Sequence, residues 1–318
     1  MPKRRRRAGP AKRMQHLLEY LLVRGALLLF AVLPLRANLW LARRLGDFAF
    51  DVVRLRRRVT LDNLRRMLGD GASRAQLLRV ARATYRTMAM TFVELTLFDR
   101  QDLRQLGGRL HFVGLEHVAR ASEMGRGMIY LTGHVGNWEI CAAATALIDA
   151  PLSIVFADQR NPYVNRMVRR ARERMELNLI PVGYALRAML RTVREGGRIG
   201  FAGDQDAGRD GIAVSFMGHP ASTATGAARI AYRSGAPVVI CFDRHTGHGF
   251  HEIEYFPPLL AERGRPEPEE VRRILTHYMG RLEDFVRRHP EQYFWMHRRW
   301  KTTLSAEGEN RNALAEFR

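Results

Sequence analysis

A histidine followed five positions on by a glutamate, with glycines around it, is the feature of this chain best suited to chemistry: Thr132-Gly133-His134-Val135-Gly136-Asn137-Trp138-Glu139. An imidazole takes a proton from a hydroxyl near neutral pH when one ring nitrogen is held by a partner and the other faces substrate. The spacing places Glu139 in the first turn of a following helix, within reach of one imidazole nitrogen. Gly133 and Gly136 permit tight backbone geometry and close approach of a substrate. A His-x4-Glu pair alone is common and mostly structural. Here it follows an apolar run, Gly127–Leu131, and opens a helical pattern, Trp138–Ile148. The imidazole is therefore expected in a turn at a strand's carboxyl edge, where open α/β sheets bind ligands.

A second loop has the same placement. The run Ile199–Ala202 ends in Gly203-Asp204-Gln205-Asp206-Ala207-Gly208. Asp204 and Asp206 either line the same cleft, where they would position substrate or assist the histidine, or bond loop amides as Asp does in turns. Between the two loops, Arg160-Asn161-Pro162 leads into a helix with Arg166, Arg169, Arg170, Arg172 and Arg174. Arginine recognises phosphate through paired hydrogen bonds, although so basic a helix is also what a solvated face looks like. The hydroxyls of Ser222-Thr223-Ala224-Thr225-Gly226 are expected to cap a helix. His245, His248 and His251 recur at every third position, but Gly247 and Gly249 point to a hairpin turn instead of a metal site. No metal is expected. Cys141 and Cys241 lie in apolar segments, too few for a disulfide framework and without zinc-site spacing, which fits a reducing, cytosol-facing environment.

The elements that must hold these residues follow an α/β rhythm. Short apolar runs at Gly127–Leu131, Leu152–Phe156, Leu179–Val182, Ile199–Ala202, Pro237–Phe242 and Ile253–Phe256 read as strands. Helical patterns at Trp138–Ile148, Pro162–Leu177, Ala185–Arg194 and Thr223–Arg233 fall between them, with a late helix at Glu269–Arg288. The alternation predicts a largely parallel or mixed sheet flanked by helices. A helical pair, about Val52–Leu68 and Ser73–Phe98, precedes it.

Charge marks the amino-terminal end. The 318 residues carry 52 Lys/Arg against 32 Asp/Glu, a net +20. Residues 1–66 hold 17 of the basic residues and 4 of the acidic ones. Such an excess calls for a polyanionic partner, either nucleic acid or an anionic membrane surface. The head Lys3-Arg4-Arg5-Arg6-Arg7 has no interleaved aromatics, which disfavours a nucleic-acid binder, the non-enzyme alternative. The unbroken apolar run Gly25–Leu35 is too short for a comfortable helical span, which takes about 20 residues. Arg36–Arg54 places Leu41, Leu45, Phe48 and Val52 on one helical face. Basic residues on both flanks favour an anchor lying in or re-entering the membrane surface; a buried helical hairpin is the alternative. The expected organisation is a basic head and membrane-anchoring helices over 1–50, a catalytic domain over 51–304 and a tail over 305–318.

Taken in order, the blocks resemble the lipid A biosynthesis acyltransferases, within the wider lysophospholipid acyltransferase superfamily. Gly133 to Glu139 is similar to the family's His-x4-acid block. Asn161-Pro162 with Arg172-x-Arg174, Asp204-Gln205-Asp206-Ala207-Gly208 and Ser222–Gly226 resemble the blocks that follow, and Pro290-Glu291-Gln292-Tyr293-Phe294-Trp295-Met296-His297-Arg298-Arg299-Trp300-Lys301-Thr302 resembles the terminal signature. The likeness runs from about residue 15 to 304. It implies transfer of a fatty acyl chain from acyl carrier protein to a hydroxyl of a phosphorylated glucosamine disaccharide, at the cytoplasmic face of the bacterial inner membrane. It makes His134 the base and Glu139 its orienting partner, with Asn137, Arg172, Arg174, Asp204 and Asp206 as substrate contacts and no cofactor. Related members use acyl-CoA and mannosylated phosphoinositides, so acyl-CoA is the alternative donor. A glycerolipid acyltransferase would use the same chemistry, but the Phe-Pro-Glu-Gly block expected there is absent.

Overall fold

The computed structural model describes residues 9–97, 107–149, 151–156, 159–181 and 185–303. The arginine-rich head and the tail over 305–318 lie outside the described residues. Five strands form a parallel block: β2 (Met128–Thr132), β3 (Leu152–Phe156), β4 (Leu177–Pro181), β5 (Arg198–Ala202) and β8 (Val238–Gly247). β9 (Phe250–Tyr255) runs antiparallel to β8, and β1 (Leu110–Val113) pairs parallel with β9. The strand order is β1-β9-β8-β2-β5-β3-β4. The sheet is thus mixed, parallel at its centre.

Its central strands are apolar without interruption because both faces are covered. Ile129, Leu131, Ile240 and Phe242 point into one core with α4 (Arg74–Leu97), α9 (Gly226–Ser234) and α10 (Glu267–Arg288). Their neighbours Met128, Tyr130, Val239 and Cys241 point into the other, against α5 (Leu115–Ser122), α6 (Trp138–Ile148) and α7 (Pro162–Arg174). Period-two alternation along each strand separates the two cores.

The sequence patterns miss β1, the helix α5 and a hairpin, β6 (Ile212–Phe216) and β7 (His219–Thr223), whose two-residue turn Met217-Gly218 takes positive φ at both positions. That turn geometry matches strand twist, but Met at its first position hides it from a search for Asn-Gly or Gly-Gly. The hairpin also corrects the reading of Ser222–Gly226. Ser222 and Thr223 end a strand, and the hydroxyl of Ser222 donates to the Gly208 carbonyl at 2.7 Å instead of capping a helix. Thr225, at the N-cap of α9, makes no side-chain cap bond.

At the amino-terminal end, α1 (Pro10–Val32) and α2 (Leu35–Phe48) are separated by Leu33-Pro34. Asn38 closes the break, its amide donating to the carbonyls of Phe30 at 2.6 Å and Leu33 at 3.2 Å. Phe30, Leu39 and Ala42 pack on Met90 and Val93 of α4. Gly46 lets α2 approach α4 closely, since a Cβ there would lie 2.6 Å from the Tyr85 carbonyl oxygen. Asp47–Arg86 and Asp51–Arg82 ion pairs line the same seam. No helix of the described residues is long and apolar enough to cross a membrane. Of the apolar face expected for Arg36–Arg54, Leu41 packs against the cluster of Phe30, Leu39 and Met90, while Leu45, Phe48 and Val52 are 44%, 54% and 64% exposed and turn away from the core.

Candidate active site

The parallel register assembles the site. Thr132 of β2 pairs with Ala202 of β5, and each strand runs two residues past that pair, to His134 and to Asp204. The Gly203 amide donates to the Thr132 carbonyl at 3.0 Å, continuing the ladder to the loop. His134 Nδ1 then lies 2.7 Å from Asp204 Oδ1. The carboxylate is 2% exposed and the imidazole 19%. Burial alone disfavours the imidazolium, but the Asp204 charge and hydrogen bond outweigh it and raise the His134 pKa above its ordinary value. For Asp204, burial opposes ionisation and the facing imidazole overrides it, holding the carboxyl below the usual range.

This corrects the expected pairing. Glu139 is not the hydrogen-bonding partner of the imidazole; it is clamped by Arg172, whose Nε donates to Oε2 at 3.0 Å and Nη2 to Oε1 at 2.5 Å. The reason is helical geometry. Glu139 sits on the first turn of α6 facing α7, and Arg172 in the last turn of α7 meets it with a guanidinium fork that matches a carboxylate.

The other expected substrate contacts divide. Arg172 lines a cavity of about 150 Å³ together with His134 and Glu139. Asn137 does not reach it: it is fully buried and caps α6, its Oδ1 accepting from the Glu139 and Ile140 amides at 3.2 Å each. Asp206 is a structural clasp, accepting from the Thr302 amide at 3.2 Å and its hydroxyl at 2.9 Å. Arg174 is exposed on α7 and does not line the cavity. Away from His134, Glu139 and Arg172 the cavity is mostly apolar, walled by Ala142, Ile154, Val155 and Phe201 and reaching Cys141 and Cys241. The cysteine sulfurs are 3.8 Å apart. The contact with Cys241 and burial push the Cys141 thiol well above its ordinary pKa, the opposite of what a nucleophile needs.

The terminal motif straps the catalytic turn. The Phe294 amide donates to the His134 carbonyl at 3.0 Å, and the Gly136 amide donates to the Gln292 carbonyl at 2.8 Å. The His134 ring lies 4.9 Å from the Trp138 ring and 6.4 Å from the Phe294 ring. Gly136 has φ +53, and a Cβ there would strike the Asp243 backbone, so only glycine fits.

Behind the turn is a buried ionic network that the sequence reading missed. Asp243 Oδ2 accepts from the Asn137 amide at 2.6 Å, and Glu94 Oε2 accepts from the Asn137 side chain at 2.9 Å. His251 bridges the two acids, with Nδ1 3.0 Å from Asp243 and Nε2 3.3 Å from Glu94. Thr91 donates to the Gly136 carbonyl at 2.9 Å. Burial opposes both charges, but the facing groups win: His251 is raised to about 10 and Glu94 lowered to about 2. Glu94, His245 and His251 offer ligand atoms within 4.8 Å of one another, the one such metal-compatible group among the described residues. His245 and His251 face each other across the β8–β9 ladder, while His248 lies in the turn at φ +53. One sequence signal marked this network. Glu94 is the sole charged residue between Arg86 and Leu97, and an acid in such an apolar stretch must find a partner once buried.

Residues 8–302 match the family described as bacterial lipid A biosynthesis acyltransferase. The chain belongs to that family. It is an acyltransferase. Similar curated proteins include a lipid A biosynthesis acyltransferase of Haemophilus influenzae, 25% identical over 88% of this chain and 87% of that one. The lipid A biosynthesis palmitoleoyltransferase of Escherichia coli K12 is also 25% identical, over 87% of this chain and 89% of its own. A phosphatidylinositol mannoside acyltransferase of Mycolicibacterium smegmatis is 23% identical over 77% and 80%.

Proposed function

We propose that this enzyme moves a fatty acyl chain from the thioester of acyl carrier protein to a hydroxyl of a phosphorylated glycolipid, a lipid A precursor, at the cytoplasmic face of the bacterial inner membrane. The observation that carries the reading is the His134–Asp204 pair at the mouth of an apolar cavity. With Nδ1 engaged, Nε2 is left to take the proton of the acceptor hydroxyl as its oxygen attacks the thioester carbonyl. Asp204 then stabilises the imidazolium, and the tetrahedral intermediate collapses with release of the thiol, which recovers the proton. The Glu139-clamped Arg172 guanidinium is the cation nearest to hand for the developing oxyanion or a substrate phosphate. The apolar walls suit the acyl chain. Transfer is direct, because both thiols are buried and Cys141 is deactivated.

The same reading assigns residues 1–50 to membrane attachment, residues 51–304 to catalysis and the rest to a tail. Leu18, Leu21, Leu28, Leu29 and Trp40 are half or more exposed on α1 and α2, amid arginines. An apolar surface of that kind, rimmed by basic side chains, supports an anchor lying in the bilayer interface. No resident cofactor is required.

The test is transfer by the purified full chain, with acyl carrier protein thioester as donor and a lipid A precursor as acceptor, followed by mass spectrometry. One acyl increment on the acceptor is expected. Transfer only from acyl-CoA to a mannosylated phosphoinositide would support the second reading, which the similarity to the mycobacterial enzyme favours. Transfer to neither acceptor from either donor would sink both.

A further inference from the structure

Outside the cavity, a second concave surface lies where the carboxy-terminal motif meets α3 (Arg57–Leu68). This groove, about 350 Å³, is lined by Arg58, Arg66, Arg298, Trp300 and Lys301 around Asp62 and Asn63. Asp62 is its one acid, and that carboxylate already pairs with Arg65 at 2.9 Å. Arg58 approaches Asp62 only to 4.0 Å, and Arg66, Arg298 and Lys301 have no acidic partner among the described residues. Four cations converge there on one acid that is already engaged.

The groove is built. Buried Asn63 donates to the carbonyls of Trp295 at 2.8 Å and His297 at 2.7 Å, locking the motif against α3. Trp300 stacks on Phe216 at 5.7 Å, and the Arg66 guanidinium sits 5.4 Å from its ring centroid. The indole Nε1 is buried with no acceptor among the described residues. Like charges lining one groove repel, and an oxyanion with several acceptor oxygens relieves the repulsion while accepting from guanidinium and ammonium donors. A concave surface of this size suits a headgroup.

Its position ties it to the reaction. The segment that supplies Arg298 also holds the catalytic turn through the Phe294–His134 bond. Arg298 is four positions on from Phe294, a span of at most about 14 Å between Cα atoms. On its other side, Val52, Val53 and Leu55 are exposed shortly before Arg58, so the groove adjoins an apolar surface that a lipid's chains could share.

We propose that this groove binds a phosphate of the lipid acceptor and so fixes which of its hydroxyls reaches His134. The proposal rests on the acyl-transfer reading for its use, but the binding can be tested without turnover. Full-length wild type, Arg298→Gln and Lys301→Gln would be titrated with inorganic pyrophosphate by calorimetry. They would then be assayed with a phosphorylated glycolipid acceptor and with the same acceptor after phosphatase treatment. Each substitution is expected to weaken pyrophosphate binding by about tenfold, the loss of one charge-assisted hydrogen bond. It should raise KM for the phosphorylated acceptor by a similar factor and narrow the preference for it over the dephosphorylated one. Arg298→Lys should recover part of that preference.

Pyrophosphate binding unchanged by both substitutions would overturn the proposal. So would a rise in KM for the acyl carrier protein donor with the acceptor KM unmoved, which would give the groove to an acidic protein surface. Weakened attachment to anionic phospholipid vesicles with no change in acceptor KM would give it to the bilayer headgroups. If wild type transferred no acyl chain at all, the reaction would fall, and the pyrophosphate titration would still decide the groove.

Discussion

Two histidines in this enzyme each face an aspartate at hydrogen-bond distance, and their surroundings are opposite. His134 meets Asp204 at 2.7 Å at a cavity wall and keeps 19% of its side chain exposed. His251 meets Asp243 at 3.0 Å with both side chains fully buried, and its second nitrogen is taken by Glu94. A His–Asp pair is therefore not itself a catalytic signature. What separates the two is the second nitrogen: on His134, which lines the cavity, it is the atom that the proposed mechanism gives to the substrate proton, and on His251 it is taken up in the ion network behind the turn that carries His134. The sealed pair keeps its charges through neutral pH, with His251 raised to about 10, and the open pair is the one that the proposed mechanism titrates during turnover.

The comparison can be broken most severely at His134. Replacing it with alanine should lower kcat of the folded enzyme by about three to four orders of magnitude, and should also lower the unfolding temperature, because the buried Asp204 carboxylate loses its partner. Wild-type turnover by that variant would remove the base assignment. Asp204→Asn should cost about two to three orders of magnitude and move the acidic limb of the pH–rate profile. Because Asp204 raises the His134 pKa, the neutral base predominates only above a limb displaced upward, and removing the charge returns that limb to lower pH.

At the sealed pair the expected loss is in folding. Glu94→Gln leaves His251 short of one anionic partner, and should cost about 3–5 kcal/mol in denaturant unfolding. The pH dependence of stability has a definite sign. A His251 pKa raised to about 10 gives stability that is complete below the ordinary histidine value and fades as pH climbs through about 10. The Glu94 contribution is complete above the ordinary glutamate value and fades as pH falls through about 2. The network is therefore fully stabilising at mildly acidic pH, and the Glu94→Gln penalty should be largest there. The smallest effect belongs to Glu139→Gln: about a tenfold fall in kcat/KM from loosening Arg172, with the acidic limb nearly in place. A limb displaced as far as in Asp204→Asn would restore Glu139 as the partner of the imidazole.

Local patterns carried much of the structure. The central strands are readable because burial on both faces makes them short apolar runs, and the turns that follow them place His134 and Asp204 at carboxyl edges. β1 and the β6–β7 hairpin escaped because their pairing is decided by distant chain or by a turn whose residue types do not advertise it. The resemblance implies substrate contacts at Asn137 and Asp206, but a motif position does not tell a helix cap or a clasp from a ligand, and the structure makes them a cap and a clasp.

The sequence by itself determined which groups this enzyme has for chemistry and the αβ rhythm that carries them, because hydrophobic periodicity and turn residues act over a few positions. Only the tertiary structure decided who holds whom. Glu139 is five residues from His134 yet faces Arg172, while Asp204 is seventy residues away and bonds the imidazole. Helix pitch aims the near carboxylate elsewhere, and the parallel pairing of β2 with β5 brings the far one into contact.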